Sequence, residues 1–190
     1  MKDERRTKNI AIHSAKECAY IAVFVALVLS AQLVFASVPG VELVTVLFVG
    51  YASAFGIKRG AAAATAFSLL RQLLFGFFPN VLILYLFYYN GLAALFGWWG
   101  GRDNAKGKLL QAIVLATLCA ACFTLLDDLI TPLWYGYTRR AARAYFLASL
   151  PVMLSQCVCA GVSVGLLFLP LEKAFTLAKR ALLQKSRKKS

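Results

Sequence analysis

Few side chains in this sequence have chemistry to offer, and most of them stand inside long apolar runs. Arg71, Asp127 and Asp128 interrupt such runs, Glu42 opens another, and Asn90 follows a tyrosine-rich stretch. Ionisable groups in apolar runs are costly to desolvate, so they mark ligand or ion sites or else pair with one another. A guanidinium, carboxylates and an amide are the groups a pocket uses to orient a polar ligand. Tyr85, Tyr88 and Tyr89 add flat apolar faces with polar tips, suited to a planar ring. The bland alternative is an interfacial tyrosine belt with a structural pair between Arg71 and an aspartate. Adjacent helical residues point ~100° apart, so at most one of Asp127 and Asp128 is expected to face a shared pocket.

Two motifs imitate catalytic sites. Gly161-Val162-Ser163-Val164-Gly165 matches a nucleophile elbow, but that device needs a strand-to-helix turn with histidine and acid partners, and the single histidine, His13, lies near the N-terminus. Cys119-x-x-Cys122 and Cys157-x-Cys159 could supply four thiolates, yet both fall in apolar helical stretches, where cysteine acts as a small hydrophobe. No disulfide framework, metal site or cofactor is expected. A membrane enzyme built on Asp127 and Asp128 would need further carboxylates, and the remaining acids are scattered. No Gly-x4-Gly-Lys-[Ser/Thr] loop is present, so ATP hydrolysis is not expected of this chain, and any active uptake draws on a partner or an ion gradient.

The elements that must position these residues follow from composition. Of 190 residues, 61% are hydrophobic and 15% charged, too little polar surface to coat a soluble globule of this size. Lipid is the expected solvent. The net charge of +13 sits between apolar runs and at the ends, as topology signals and headgroup contacts do, without the basic face or aromatic platform that nucleic-acid binding requires. Apolar runs bounded by charge, Gly and Pro predict an all-α integral membrane protein of six transmembrane helices, over about 15–36, 42–57, 61–78, 81–99, 109–130 and 144–169. The second is short for a ~30 Å crossing, which suggests a near-perpendicular course or snorkelling flanks. The expected organisation is a cytoplasmic N-terminal tail (1–14), a membrane domain (15–170) and a basic cytoplasmic C-terminal tail (171–190). The first apolar core is too long for an ordinary signal peptide, so an uncleaved helix is expected. Seventeen of the twenty-one Lys and Arg residues fall on one side of this topology, which places both termini inside. Arg139, Arg140 and Arg143 break the rule on the other side. With that direction, Glu42, Arg71, the tyrosines and the aspartates converge in the outer half, and the inner half offers only loop and tail charges.

Small residues make a second pattern. Ala15, Ala19, Ala22 and Ala26 line one face of the first helix at i, i+4, i+7 and i+11, which lets another helix approach closely or packs inside the bundle. Together with Val38-Pro39-Gly40-Val41-Glu42-Leu43-Val44-Thr45, Phe55-Gly56-Ile57-Lys58-Arg59-Gly60, Asn90-Gly91-Leu92-Ala93-Ala94-Leu95-Phe96-Gly97 and Gly100-Gly101-Arg102, these residues give a chain that resembles the substrate-binding S component of energy-coupling-factor vitamin transporters. The resemblance spans nearly the whole chain. It implies a bacterial plasma-membrane receptor that captures a vitamin-like molecule from outside and hands it to a membrane coupling subunit carrying two ATPases. It further implies that Ala22 and Ala26 dock on that subunit, and that Glu42, Asn90, Asp127 and Asp128 lie at the pocket. The competing expectation is a stand-alone secondary transporter, against which stands the lack of inverted repeats between the two three-helix halves.

Overall fold

The structure, a computed structural model, describes residues 15–37, 43–100 and 107–187. Six helices account for nearly all of them: α1 (Ala15–Phe35), α2 (Val44–Phe55), α3 (Ile57–Phe75), α4 (Pro79–Trp99), α5 (Lys108–Trp134) and α6 (Arg139–Arg187). Four of these, α1, α4, α5 and α6, are long and apolar enough to cross a membrane. The α2 helix is apolar but only 12 residues long, and α3 carries Lys58, Arg59 and Arg71. The outside of the bundle is apolar: Leu73 is 81% exposed and Leu166 71%, while Glu17 and Arg59 are buried. Greasy exterior and ionic interior are the arrangement expected of a helical membrane protein.

At the centre stands α2, with all twelve of its residues buried. It packs chiefly on α6 and α4, and α1, α3 and α5 complete its surroundings. This placement answers the length problem raised by the sequence, because a helix wrapped by protein need not span the hydrocarbon itself. The ammonium of Lys179 donates to the Ala54 carbonyl at 2.7 Å, which satisfies an orphan acceptor in the last turn and suits the negative end of the helix dipole. A single residue, Gly56, then joins α2 to α3 with φ 85° and ψ 178°, a conformation essentially closed to residues with a Cβ.

Successive helices run antiparallel, as paired contacts show: Arg71 with Tyr85 across α3 and α4, Trp99 with Gln111 across α4 and α5, Thr124 with Gln156 across α5 and α6. One end of the bundle therefore gathers the start of α1, the α2–α3 turn and the end of α4. The other end gathers the end of α3, the start of α4 and the α5–α6 turn.

The helix boundaries depart from the expected ones in four instructive places. Lys58 and Arg59 belong to the first turn of α3 rather than to a loop. Pro132 does not end α5, which runs on to Trp134 at the cost of the backbone bond that Pro132 cannot donate to the Asp128 carbonyl. The third concerns the C-terminus: residues 171–187 continue α6 instead of forming a separate tail. Pro170 costs that helix a hydrogen bond, but Leu171 and Phe175 pack beside Gly50 of α2, and Glu172 pairs with Lys108. Tertiary contacts outweigh the local penalty. Likewise α6 begins at Arg139, so Arg139 and Arg140 form its first turn, where the Thr138 hydroxyl accepts from the Ala141 amide at 3.3 Å as an N-cap.

Candidate functional site

The predicted cluster divides into two groups of residues. The first lies where α3 ends and α4 begins. Tyr85 and Tyr89 share one face of α4, 5.2 Å between ring centroids, and Tyr89 also meets Phe48 at 5.0 Å and Phe67 at 5.1 Å. Phe123 of α5 closes the group, 5.7 Å from Tyr85 and 4.8 Å from Tyr88. These aromatic faces touch one another, so the tyrosines form a packed core layer as well as a candidate ring platform.

Over this layer lies Arg71. Its guanidinium carbon is 4.3 Å from the Tyr85 ring centroid and 5.1 Å from that of Phe75. Both contacts are within cation–π range, but a ring face does not satisfy N–H donors. Nε and Nη1 are buried and have no hydrogen-bond partner among the described residues. The amide of Gln32 at the end of α1 donates to the Tyr85 hydroxyl at 3.0 Å, and its own Oε1 is likewise buried without a partner. Next to Arg71, Gln72 turns the other way: its Oε1 accepts from the Phe78 amide at 3.1 Å and braces the α3–α4 turn. Gln32 and Gln72 are additions to the sequence-derived set.

The second group holds the aspartates. Asp127 accepts from Thr131 at 2.8 Å through one carboxylate oxygen and from the Tyr145 hydroxyl at 2.6 Å through the other. Thr131 in turn accepts from Asn80 at 3.2 Å. Asp128 accepts from Ser149 at 2.7 Å, and its Oδ1 is buried without a partner. Both carboxylates thus face α6, and neither forms an ion pair with Arg71. Among the described residues the ion pairs are Arg59–Glu17 and Lys108–Glu172. Asn90 stands apart from both groups, accepting from Thr65 at 3.3 Å and donating to the Leu86 carbonyl at 2.9 Å. Glu42 lies outside the described residues.

At the opposite end is the feature that sequence reasoning missed. Glu17, which was passed over, and Arg59, placed between the second and third helices, form a buried pair at 2.5 Å, with side chains only 4% and 9% exposed. A signal was available, because Glu17 falls in register with Ile21, Phe24, Val25 and Val28 on the buried stripe of α1. The opposite face of that helix carries Ala15, Ala19, Ala22 and Ala26, and all four are exposed.

The Gly161–Gly165 motif lies in mid-helix rather than at a strand-to-helix turn. Ser163 is buried in mid-helix and donates to the Ala160 carbonyl at 3.2 Å. A Cβ at Gly161 would lie 3.2 Å from the Thr117 hydroxyl, and one at Gly165 3.5 Å from Ile113, so the two glycines let α6 approach α5 closely. Among the described residues no group of three or more His, Cys, Asp or Glu could hold a metal ion. Comparison with known protein families, with curated proteins and with solved structures finds no match in any of the three.

Proposed function

We propose that this chain is the solute-binding subunit of an uptake system of the energy-coupling-factor kind, a six-span bundle with both termini inside a bacterial plasma membrane. In this reading it captures a vitamin-like molecule from outside, and a membrane coupling subunit with two ATPases drives its release inward. The observation that carries the reading is the exposure of Ala15, Ala19, Ala22 and Ala26 along one face of α1. Internal packing, the competing explanation of that spacing, would have buried them. A smooth small-residue face turned to lipid lets a partner helix come close where bulky side chains would hold it off. Support also comes from the polar and aromatic group around Arg71 and Tyr85, which lies toward the other end of the same helix and contacts it through Gln32.

The test is purification of the tagged chain from its native membrane in a mild detergent. A membrane subunit and two ATP-binding subunits, recognised by their phosphate-loop sequences in mass spectrometry, should accompany it. Ala22→Trp with Ala26→Trp should remove them without changing the yield or melting temperature of the chain. Partners that survive the double substitution would refute the docking face. Solute uptake by the chain alone in vesicles, driven by a cation gradient and indifferent to ATP, would replace the proposal with a secondary transporter.

A further inference from the structure

We infer that the Arg71 site receives an anionic oxygen group, a carboxylate or a phosphate, and that the captured solute is an organic anion rather than a neutral ring compound. The inference deepens the solute-binding reading and rests on it for the identity of the ligand as a solute.

Three observations converge on it. Arg71 is a permanent cation within a largely apolar bundle, and Nε and Nη1 are shielded from solvent without any acceptor among the described residues. Neither carboxylate described at that end of the molecule pairs with Arg71: Asp127 is held by Thr131 and Tyr145 through both oxygens, and Asp128 is held by Ser149 through one. The rings of Tyr85 and Phe75 shield the guanidinium from water at 4.3 and 5.1 Å without neutralising it. A guanidinium with two of its three nitrogens shielded from solvent and no counter-charge among the described residues is destabilising, because that part has surrendered its hydration without return. An incoming carboxylate or phosphate supplies what the site lacks, and in the low dielectric beside the aromatic layer a charge-assisted bond is worth more than in water. Gln32 adds direction. Its Oε1 is an unused acceptor, so a ligand that also offers an N–H or O–H donor near its anionic end engages both groups at once. Sulfonium or ammonium ligands, and rings without charge, leave Arg71 as it is.

The anion has two possible sources, a free solute or a phospholipid headgroup, and separate arms of one experiment distinguish them. The full chain is purified in dodecyl maltoside, which carries no anionic group, and titrated with matched pairs: nicotinate against nicotinamide, pyridoxal phosphate against pyridoxal, riboflavin phosphate against riboflavin. Binding is read from intrinsic fluorescence and the melting temperature. In at least one pair the anionic member should bind tenfold or more tighter than its neutral counterpart. That preference should fall at least tenfold in Arg71→Gln and be partly kept in Arg71→Lys, which retains the charge but not the planar fork. In the second arm phosphatidylglycerol is titrated into the same micelles. Stabilisation by this lipid that depends on Arg71, with no discrimination within the solute pairs, assigns the anion to a headgroup.

Equal binding of charged and neutral members overturns the assignment to a solute, and without the Arg71-dependent lipid effect it overturns the anion site as well; a preference that survives Arg71→Gln overturns both. Failure of every solute and of the lipid to shift the melting temperature at millimolar concentration does so too. The matched-pair comparison uses the unaltered chain, so a variant that does not fold leaves the test intact. Docking and anion recognition fail independently: a chain that keeps its ATPase partners but prefers neutral rings is a subunit for a different solute, and one that prefers anions without such partners is a binding protein of another system.

Discussion

Replacing Gly100 by alanine should separate close packing from helix propensity at the junction of three helices. A Cβ at Gly100 would lie 2.5 Å from both the Cα and the carbonyl oxygen of Ser53, and one at Gly97 would lie 2.6 Å from the Ile57 nitrogen. Ordinary non-bonded carbon contacts are ~3.5–4.0 Å, so the α2–α3 turn would have to withdraw by about 1 Å. The obstruction is backbone, which cannot rotate aside. Gly100 has φ −62° and ψ −15°, which alanine adopts freely, so no conformational strain enters the comparison. At the C-cap of α4, where its dihedrals are compatible, alanine gains up to ~1 kcal/mol over glycine by restricting the unfolded chain, and overpacking costs ~1–3 kcal/mol. With rigid backbone opposite, the upper part of that range applies, and the net loss is about 2 kcal/mol. Gly91, on the same helix, serves as the control, because a Cβ there would meet nothing within 4 Å. Gly91→Ala should therefore be stabilising by up to ~1 kcal/mol. The two variants should differ by about 3 kcal/mol, roughly a hundredfold in the unfolding equilibrium. Reversible unfolding in mixed micelles of dodecyl maltoside and dodecyl sulfate, followed by circular dichroism, measures that difference. A Gly100→Ala chain as stable as Gly91→Ala would show that the α2–α3 turn does not rest on α4 at this distance.

Two further outcomes are expected in the same assay. Breaking the Glu17–Arg59 pair from one side, by Glu17→Gln or Arg59→Met, should cost ~3–5 kcal/mol because it strands a buried charge, whereas Glu17→Leu with Arg59→Met should recover most of that loss. Simple additivity of the two single changes would contradict the pairing. Tyr145→Phe removes one of the two hydroxyl donors to Asp127 and should cost about 1–2 kcal/mol, and combining it with Asp127→Asn should cost less than the sum. A full sum would mean that the hydroxyl and the carboxylate do not interact.

Much of the fold was legible because apolar runs broken by Pro, Gly and charge are what helices in lipid require, and all six expected helices are present. What escaped was tertiary. Pro170 reads as a terminator until Phe175 is seen against Phe24, 5.8 Å between centroids, a contact that depends on where α6 passes α1. Lys58 and Arg59 read as a loop because basic residues next to glycine usually are one, yet Gly56 alone makes the turn. At the candidate site the residue types were correct and the grouping was not. Depth along each helix placed Arg71 and the aspartates at the same end, but depth carries no information on azimuth, and azimuth turns the carboxylates toward Tyr145 and Ser149. Gln32 was passed over because a neutral amide near a helix end carries no desolvation alarm. The glycine motifs that carry the family resemblance were legible as motifs, and the structure brings Gly56, Gly97 and Gly100 to one junction, where their shared property is the absence of a Cβ.

That junction bears on how α1 could serve a binding subunit. The α2–α3 turn is fixed by α4 from one side, and Arg59, three residues after Gly56, grips Glu17 of α1 from the other. Midway along, Phe24 stacks on Tyr51 at 3.9 Å, and near its far end Gln32 holds Tyr85. Glu17 and Gln32 are fifteen residues apart, about 22 Å of helix, so one rigid element touches both the buried ion pair and the aromatic platform. Its alanine face points away from all three contacts. A partner helix seated on that face would press on α1 along its length, and through it on all three contacts. A displacement of about 1 Å along the Gln32–Tyr85 bond would take it from 3.0 Å to beyond hydrogen-bonding range. On the proposed reading, docking on the alanine face and the grip on an anion at Arg71 would be linked through this one helix, in the direction a subunit needs if engagement with its partner is to loosen its ligand.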